Sequence, residues 1–169
     1  YVTFPISNER KSGLLFPSFG SSTQHGAYYS QPIYMSLASN YDFTFTPEYM
    51  SERGWLWKTN FRHLSTNSYN ELELEYMHDD QDSDELKERY LAYWQHESSW
   101  ADNWGITSQL TKLGDDNYIS EFDSEYHHKA DTNINNFVSV SYFGQNFDVN
   151  FMSQDIQELG PQSASYKVP

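Results

Sequence analysis

Trp55-Leu-Trp-Lys-Thr-Asn-Phe-Arg62 and Glu71-Leu-Glu-Leu-Glu-Tyr76, separated by the turn-forming Ser65-Thr-Asn-Ser68, alternate apolar and polar side chains with a period of two. Successive side chains of an extended strand point to opposite faces, so this alternation predicts strands with one apolar and one polar side. Trp55, Trp57 and Phe61 share a face opposite Lys58, Asn60 and Arg62, while Leu72, Leu74 and Tyr76 stand opposite three glutamates. Treating 65–68 as a four-residue turn pairs Leu64 with Tyr69. Arg62 then faces Glu71, Asn60 faces Glu73 and Lys58 faces Glu75, so parity and charge agree in one register.

The same period extends in both directions. Tyr41-Asp-Phe-Thr-Phe-Thr46 alternates cleanly, and further runs read 90–100, 105–112, 133–143 and 146–153, with two weaker ones at 13–21 and 26–37. Clusters of Ser, Asn, Asp and Gly punctuate them at 38–40, 51–54, 65–68, 101–103 and 144–146, whereas 78–88 and 114–131 form longer acidic connections. Helical periodicity is absent. Short and long connections alternate as in an up-and-down meander between two compartments, and about ten residues per membrane strand plus a turn predicts roughly nine or ten strands.

Composition narrows the class. The 169 residues carry 24 Asp and Glu against 10 Lys and Arg, a formal charge of −14. The 14 Tyr, 11 Phe and 5 Trp outnumber the 23 Leu, Ile and Val, the reverse of an ordinary soluble core. No run approaches the roughly 20 apolar residues of a membrane helix. An acidic chain offers no basic stripe for phosphates, so nucleic acid is not an expected partner. There is no Cys, hence no disulfide framework or thiolate metal site. The opening Tyr1-Val-Thr-Phe-Pro5 lacks the basic start and apolar run of a signal peptide. An aromatic apolar face opposite rows of charge predicts an outer-membrane barrel wall, with Asp42, Glu48, Lys58, Arg62, Glu71, Glu73 and Glu75 facing the lumen as a ladder of ion pairs.

Chemistry-bearing motifs are sparse. His127-His128 lies near Asp123 and Glu125, but adjacent residues of an extended chain point apart. Asp80-Gln-Asp-Ser-Asp84 begins like a calcium loop, yet its sixth position is Glu85 and its twelfth Leu91, so the EF-hand reading fails and a solvated acidic loop is expected. His63 and His96 fall on strands. No nucleophile elbow or phosphate-cradling loop occurs, so no catalytic residue, metal or cofactor is expected. Trp55, Trp57, Trp94, Trp100 and Trp104 fit interfacial belts better than sugar platforms.

Proline cannot donate to a β-ladder. Pro17 sits inside Gly13-Leu-Leu-Phe-Pro-Ser-Phe19 and Pro32 inside Tyr28-Tyr-Ser-Gln-Pro-Ile-Tyr34, so the meander opens on two weakened strands. These prolines, with Phe4-Pro-Ile-Ser-Asn-Glu-Arg-Lys-Ser-Gly13, Thr46-Pro-Glu-Tyr-Met50, Arg53-Gly54, Asn60-Phe-Arg-His-Leu64, Tyr93-Trp94 followed by His96, and 147–151, make a specific combination. It resembles the start of the barrel of the LptD family of lipopolysaccharide-assembly proteins of the Gram-negative outer membrane.

The resemblance implies a barrel of about 26 strands, of which this chain supplies the first third: a junction over 1–10 from a periplasmic domain, then barrel wall over 11–169. The family's jelly-roll domain and linking cysteines are not in this sequence, and Ser165-Tyr-Lys-Val-Pro169 lacks a terminal aromatic strand, so a fragment is expected. It further implies lipopolysaccharide transport without covalent chemistry, through a lateral gate here comprising Gly13, Leu14, Phe16, Pro17, Phe19 and Pro32. The implied partners are an LptE-like lipoprotein plug, the periplasmic Lpt bridge and the barrel-assembly machinery during folding. Two other readings stand beside it: a porin or uptake barrel in which the prolines merely shape the wall, and a secreted β-sandwich that binds glycans.

Overall fold

The computed structural model describes residues 10–83, 85–122 and 133–159. Most of the expected junction, residues 1–9, lies outside them, as do Asp84, the His127-His128 pair with Asp123 and Glu125, and the last residues 165–169.

The alternating runs form one antiparallel sheet: β1 (Gly13–Leu14), β2 (Ser18–Ser22), β3 (Gly26–Ser30), β4 (Ile33–Ala38), β5 (Tyr41–Met50), β6 (Gly54–Leu64), β7 (Ser68–Met77), β8 (Arg89–Trp100), β9 (Trp104–Leu113), β10 (Asn133–Phe143) and β11 (Asp148–Glu158). A meander of nine strands results, running β1, β4, β5 and so on to β11, with β2 and β3 continuing β1 and β4 beyond the prolines. β1 and β11 are not paired with each other, so the sheet is open, as a segment of a larger barrel wall would be. No second sheet packs on it among the described residues, which removes the sandwich reading.

Register follows the charge pattern. Leu64 pairs with Tyr69, Arg62 with Glu71, Asn60 with Glu73 and Lys58 with Glu75. Some boundaries differ: β5 runs on to Met50 past its clean alternation over 41–46, β7 begins at Ser68 ahead of 71–76, and the last strand covers Asp148–Glu158 rather than 146–153, because the tight turn at Gly144 is closed by the Gly144 N–H donating to the Phe147 carbonyl. A second difference is a short helix, α1 (Tyr118–Glu121), inside the expected 114–131 loop.

Leu72, Leu74, Leu110 and Val138 stay exposed on one face as a band of aliphatic side chains. Aromatic rings flank it at both ends of the strands. Tyr49, Trp55 and Trp57 cluster at one end; Trp100, Trp104, Tyr142 and Phe147 stack at the other, where Tyr41 also lies on His63 at 4.5 Å. An apolar band between two aromatic girdles is the outer surface of a membrane barrel. Trp94 departs from the belt expectation: it lies mid-strand, stacked on His96.

The opposite face carries the charges but is not polar throughout. Near the long connections Met50, Leu56, Met77, Leu91 and Leu113 occupy polar-face positions and are buried with Tyr118, Ile119 and Phe122 of the α1 segment. Here the sheet has a small hydrophobic core. Burying one such side chain contributes roughly 1.5–3 kcal/mol, enough to hold a one-turn helix that has little stability of its own.

Candidate functional site: a broken first seam and a capped polar face

The first two strands meet imperfectly. Leu14 pairs with Ile33 but Ser18 pairs with Ser30, so the three residues 15–17 lie opposite only two, 31 and 32. This is a β-bulge at Pro17, and it shifts the side-chain alternation by one residue along strand one. Gly13–Phe19 is therefore not one uniform strand: Gly13 and Leu14 belong to β1, Phe19 to β2, and Phe16 and Pro17 to the bulge between them. Phe16 is 92% exposed, and Leu14 and Phe19 are nearly as open. Pro32 separates β3 from β4 without any slip against the next strand, since Ser30 pairs with Glu48 and Ile33 with Phe45.

The charged residues of the polar face divide by partner. Arg62 donates twice to Asp42, at 2.8 and 3.2 Å, and the Lys58 ammonium lies 3.0 Å from Glu48. Glu71 accepts from the Tyr69 hydroxyl at 2.6 Å and from Asn60, which also donates to Glu73. Glu75 accepts from the buried Tyr118 hydroxyl at 2.7 Å. These ion pairs run from β6 to β5, and hydrogen bonds link the glutamates of β7 to their neighbours. Asp42 is nearly fully buried and also takes Arg10, at 2.8 Å, from the segment preceding strand one.

Above this ladder the long connections are tied by two arginines. Arg89 is 1% exposed and gives five hydrogen bonds to Asp80, Asp115 and Glu121 at 2.7–3.1 Å. Arg53 donates to Asp80, Asp82, Glu121 and the Gln24 carbonyl, and both guanidinium groups lie within 5.0 Å of the centre of the Phe122 ring. Asp80, expected to be solvated, is fully buried between the two cations. Burial pushes the Glu121 carboxyl up, but hydrogen bonds from Arg53 and the charge and bonds of Arg89 outweigh it, leaving it below the usual glutamate range. Burial raises the Tyr118 hydroxyl far above a free tyrosine, and the charge and hydrogen bond of Glu75 raise it further. Tyr118 is therefore a permanent donor. Among the described residues no His, Asp and Glu side chains gather in a metal-holding group.

Between this cap and the first strands lies a cavity of about 670 Å³. Serines of β2 and β3, Tyr28, the Lys58–Glu48 pair and His25 line it, and Ile119 and Phe122 form its roof. His25 Nε2 bonds to the Glu121 carbonyl at 2.7 Å, closing the turn between β2 and β3 against α1. Neither cap nor cavity is apparent from hydrophobic period. The apolar residues Met50, Leu56 and Met77 on polar-face positions are the signal that locates them.

Aromatic girdles, an apolar outer face, a charged inner face and an unclosed meander define an outer-membrane β-barrel wall. A family model described as LptD, LPS transport system D, matches residues 87–169. LPS-assembly proteins LptD of Shewanella sp. (strain MR-4), Pseudoalteromonas atlantica and Histophilus somni are 40%, 36% and 37% identical to the chain over 97–99% of its length. The chain belongs to the LptD family, and it spans 22% of the length of these relatives.

Arg89→Leu leaves Asp80, Asp115 and Glu121 short of a buried cation and is expected to destabilise the fold by about 3–5 kcal/mol, read as a lower urea midpoint. The depressed Glu121 carboxyl predicts a pH dependence of known sign. Its contribution is complete above the ordinary glutamate range and is lost as pH falls through the lower folded value. The stability difference between the parent protein and Glu121→Gln should therefore shrink on acidification; a pH-independent difference would contradict this account.

Proposed function

We propose that this chain is the first part of the wall of an outer-membrane barrel that delivers lipopolysaccharide to the outer leaflet through a lateral gate, whose movable lip is strand one. The carrying observation is the break at the two prolines: a one-residue bulge at Pro17 interrupts the pairing of strand one with strand two, and neither Pro17 nor Pro32 has an N–H to give to the ladder. In lipid an unmade backbone bond costs far more than in water, so a strand one held loosely by its neighbour is a specific choice of lip for a wall that parts between its first and last strands. Family membership supports the substrate class, since the relatives are named as LPS-assembly proteins.

Orientation follows from loop length: short turns face the periplasm and long connections the exterior. The start of strand one then lies on the periplasmic side, where a preceding domain and the periplasmic Lpt bridge would hand over substrate. The arginine-bound α1 segment roofs the external mouth, and the hydroxyl-lined cavity beneath it suits the sugar part of a glycolipid. An LptE-like plug would face the charged ladder from within, and the barrel-assembly machinery would insert the wall. A porin of the same topology needs no weak seam.

In the full-length parent protein in living cells, a photo-crosslinking residue at Phe16 should yield lipopolysaccharide adducts that are absent at the mid-wall control Leu74. Equal labelling at both positions would overturn the gate. Replacing Pro17 and Pro32 together by Ala should tighten the seam and slow the appearance of new lipopolysaccharide at the cell surface; an unchanged rate would count against strand one as the lip.

A further inference from the structure

The proline break is not left open. The Leu15 N–H donates to the Pro32 carbonyl at 2.9 Å, which makes half of a reciprocal ladder pair. The other half would be an N–H of residue 32 donating to the Leu15 carbonyl, and proline has none. That carbonyl instead accepts from the side-chain amide of Gln31, Nε2 to O 2.9 Å, and the same nitrogen also reaches the Pro32 carbonyl at 3.1 Å. The amide is held in place from behind: the Tyr29 hydroxyl donates to Gln31 Oε1 at 3.0 Å. Meanwhile the Gln31 backbone N–H donates to the Pro47 carbonyl at 3.1 Å, fixing the residue to β5 rather than to strand one.

From this geometry we infer that Gln31 is a latch: a positioning residue whose side chain replaces the missing Pro32 donor and holds strand one closed at the bulge. A backbone ladder bond breaks only when the strand moves. The side-chain bond breaks when Gln31 changes rotamer, with β3, β4 and β5 left in register, so the joint between strands one and two can be released locally. Proline and glutamine act as a pair, one removing a fixed bond and the other supplying a releasable one. The role of the latch in export rests on the gate reading above, but its existence as a joint does not.

The test is a double-mutant cycle in the full-length parent protein, read by hydrogen exchange of the segment carrying the Leu15 amide. Gln31→Met keeps the length of the side chain and removes its donor. Losing one net hydrogen bond should speed exchange there by about fivefold. In a Pro32→Ala background the backbone N–H is restored opposite the Leu15 carbonyl, and Gln31→Met should then have no effect. No change in the parent background, or equal acceleration in both backgrounds, would overturn the latch, the second by showing that Gln31 acts through packing alone. Faster exchange confined to the parent background with surface delivery of lipopolysaccharide unaltered would keep the latch and overturn the gate it was assigned to.

Discussion

Backbone pairing in a single antiparallel sheet is the constraint on which everything else in this chain depends. The strands keep their rows of charge on one side and an apolar, aromatic-rich face on the other only while each ladder stays in phase with its neighbour, since a slip of one residue exchanges the two faces. From β5 to β8 the phase holds without interruption. It shifts between β4 and β5 at Ser36–Ala38, and along strand one by one residue at Pro17. The slip is harmless there because both sides of the bulge still present apolar residues, Leu14 and Phe19, on the exposed face.

The cap solves a different problem. A wall one sheet thick has little interior, and the long acidic connections add charge without adding core. Arg53 and Arg89 convert that charge into structure: two cations placed among Asp80, Asp82, Asp115 and Glu121 satisfy side chains from two separate connections, with the Phe122 ring against both guanidinium groups. Arginine suits this because its planar fork offers five donors and sheds water more readily than an ammonium. Taking the ions out of water is costly, and the small cluster around Leu56 and Tyr118 offsets part of that cost.

Much of the wall was legible in the sequence because a period of two is imposed by the pleat itself. The Arg62–Glu71 and Lys58–Glu75 register could be read from charge alone, and β6, β8, β9 and β10 fall within a residue or two of their alternating runs, while β5 and β7 extend three or four residues beyond theirs. What escaped was whatever depends on distant residues meeting. Four residues of α1 are too few to show a helical period, and Asp80 reads as a loop acid until Arg53 and Arg89 are seen to enclose it. Pro17 and Pro32 announced a weak seam. A bulge at these prolines was one of the readings the sequence allowed, but the Gln31 amide that closes it did not show, because glutamine beside proline carries no signal until its partner strand is known.

Arg10 gives the wall a mechanical property. Its guanidinium, on the segment leading into strand one, shares the Asp42 carboxylate with Arg62 of β6, and Ser12 accepts from the Ser36 amide beside it. A pull on the chain ahead of Gly13 is therefore carried sideways into the fully paired strands β5 and β6 before it reaches the bulge. The arrangement works like a strain relief on a cable: tension entering from that side is shared with two interior strands before it reaches the joint at the bulge.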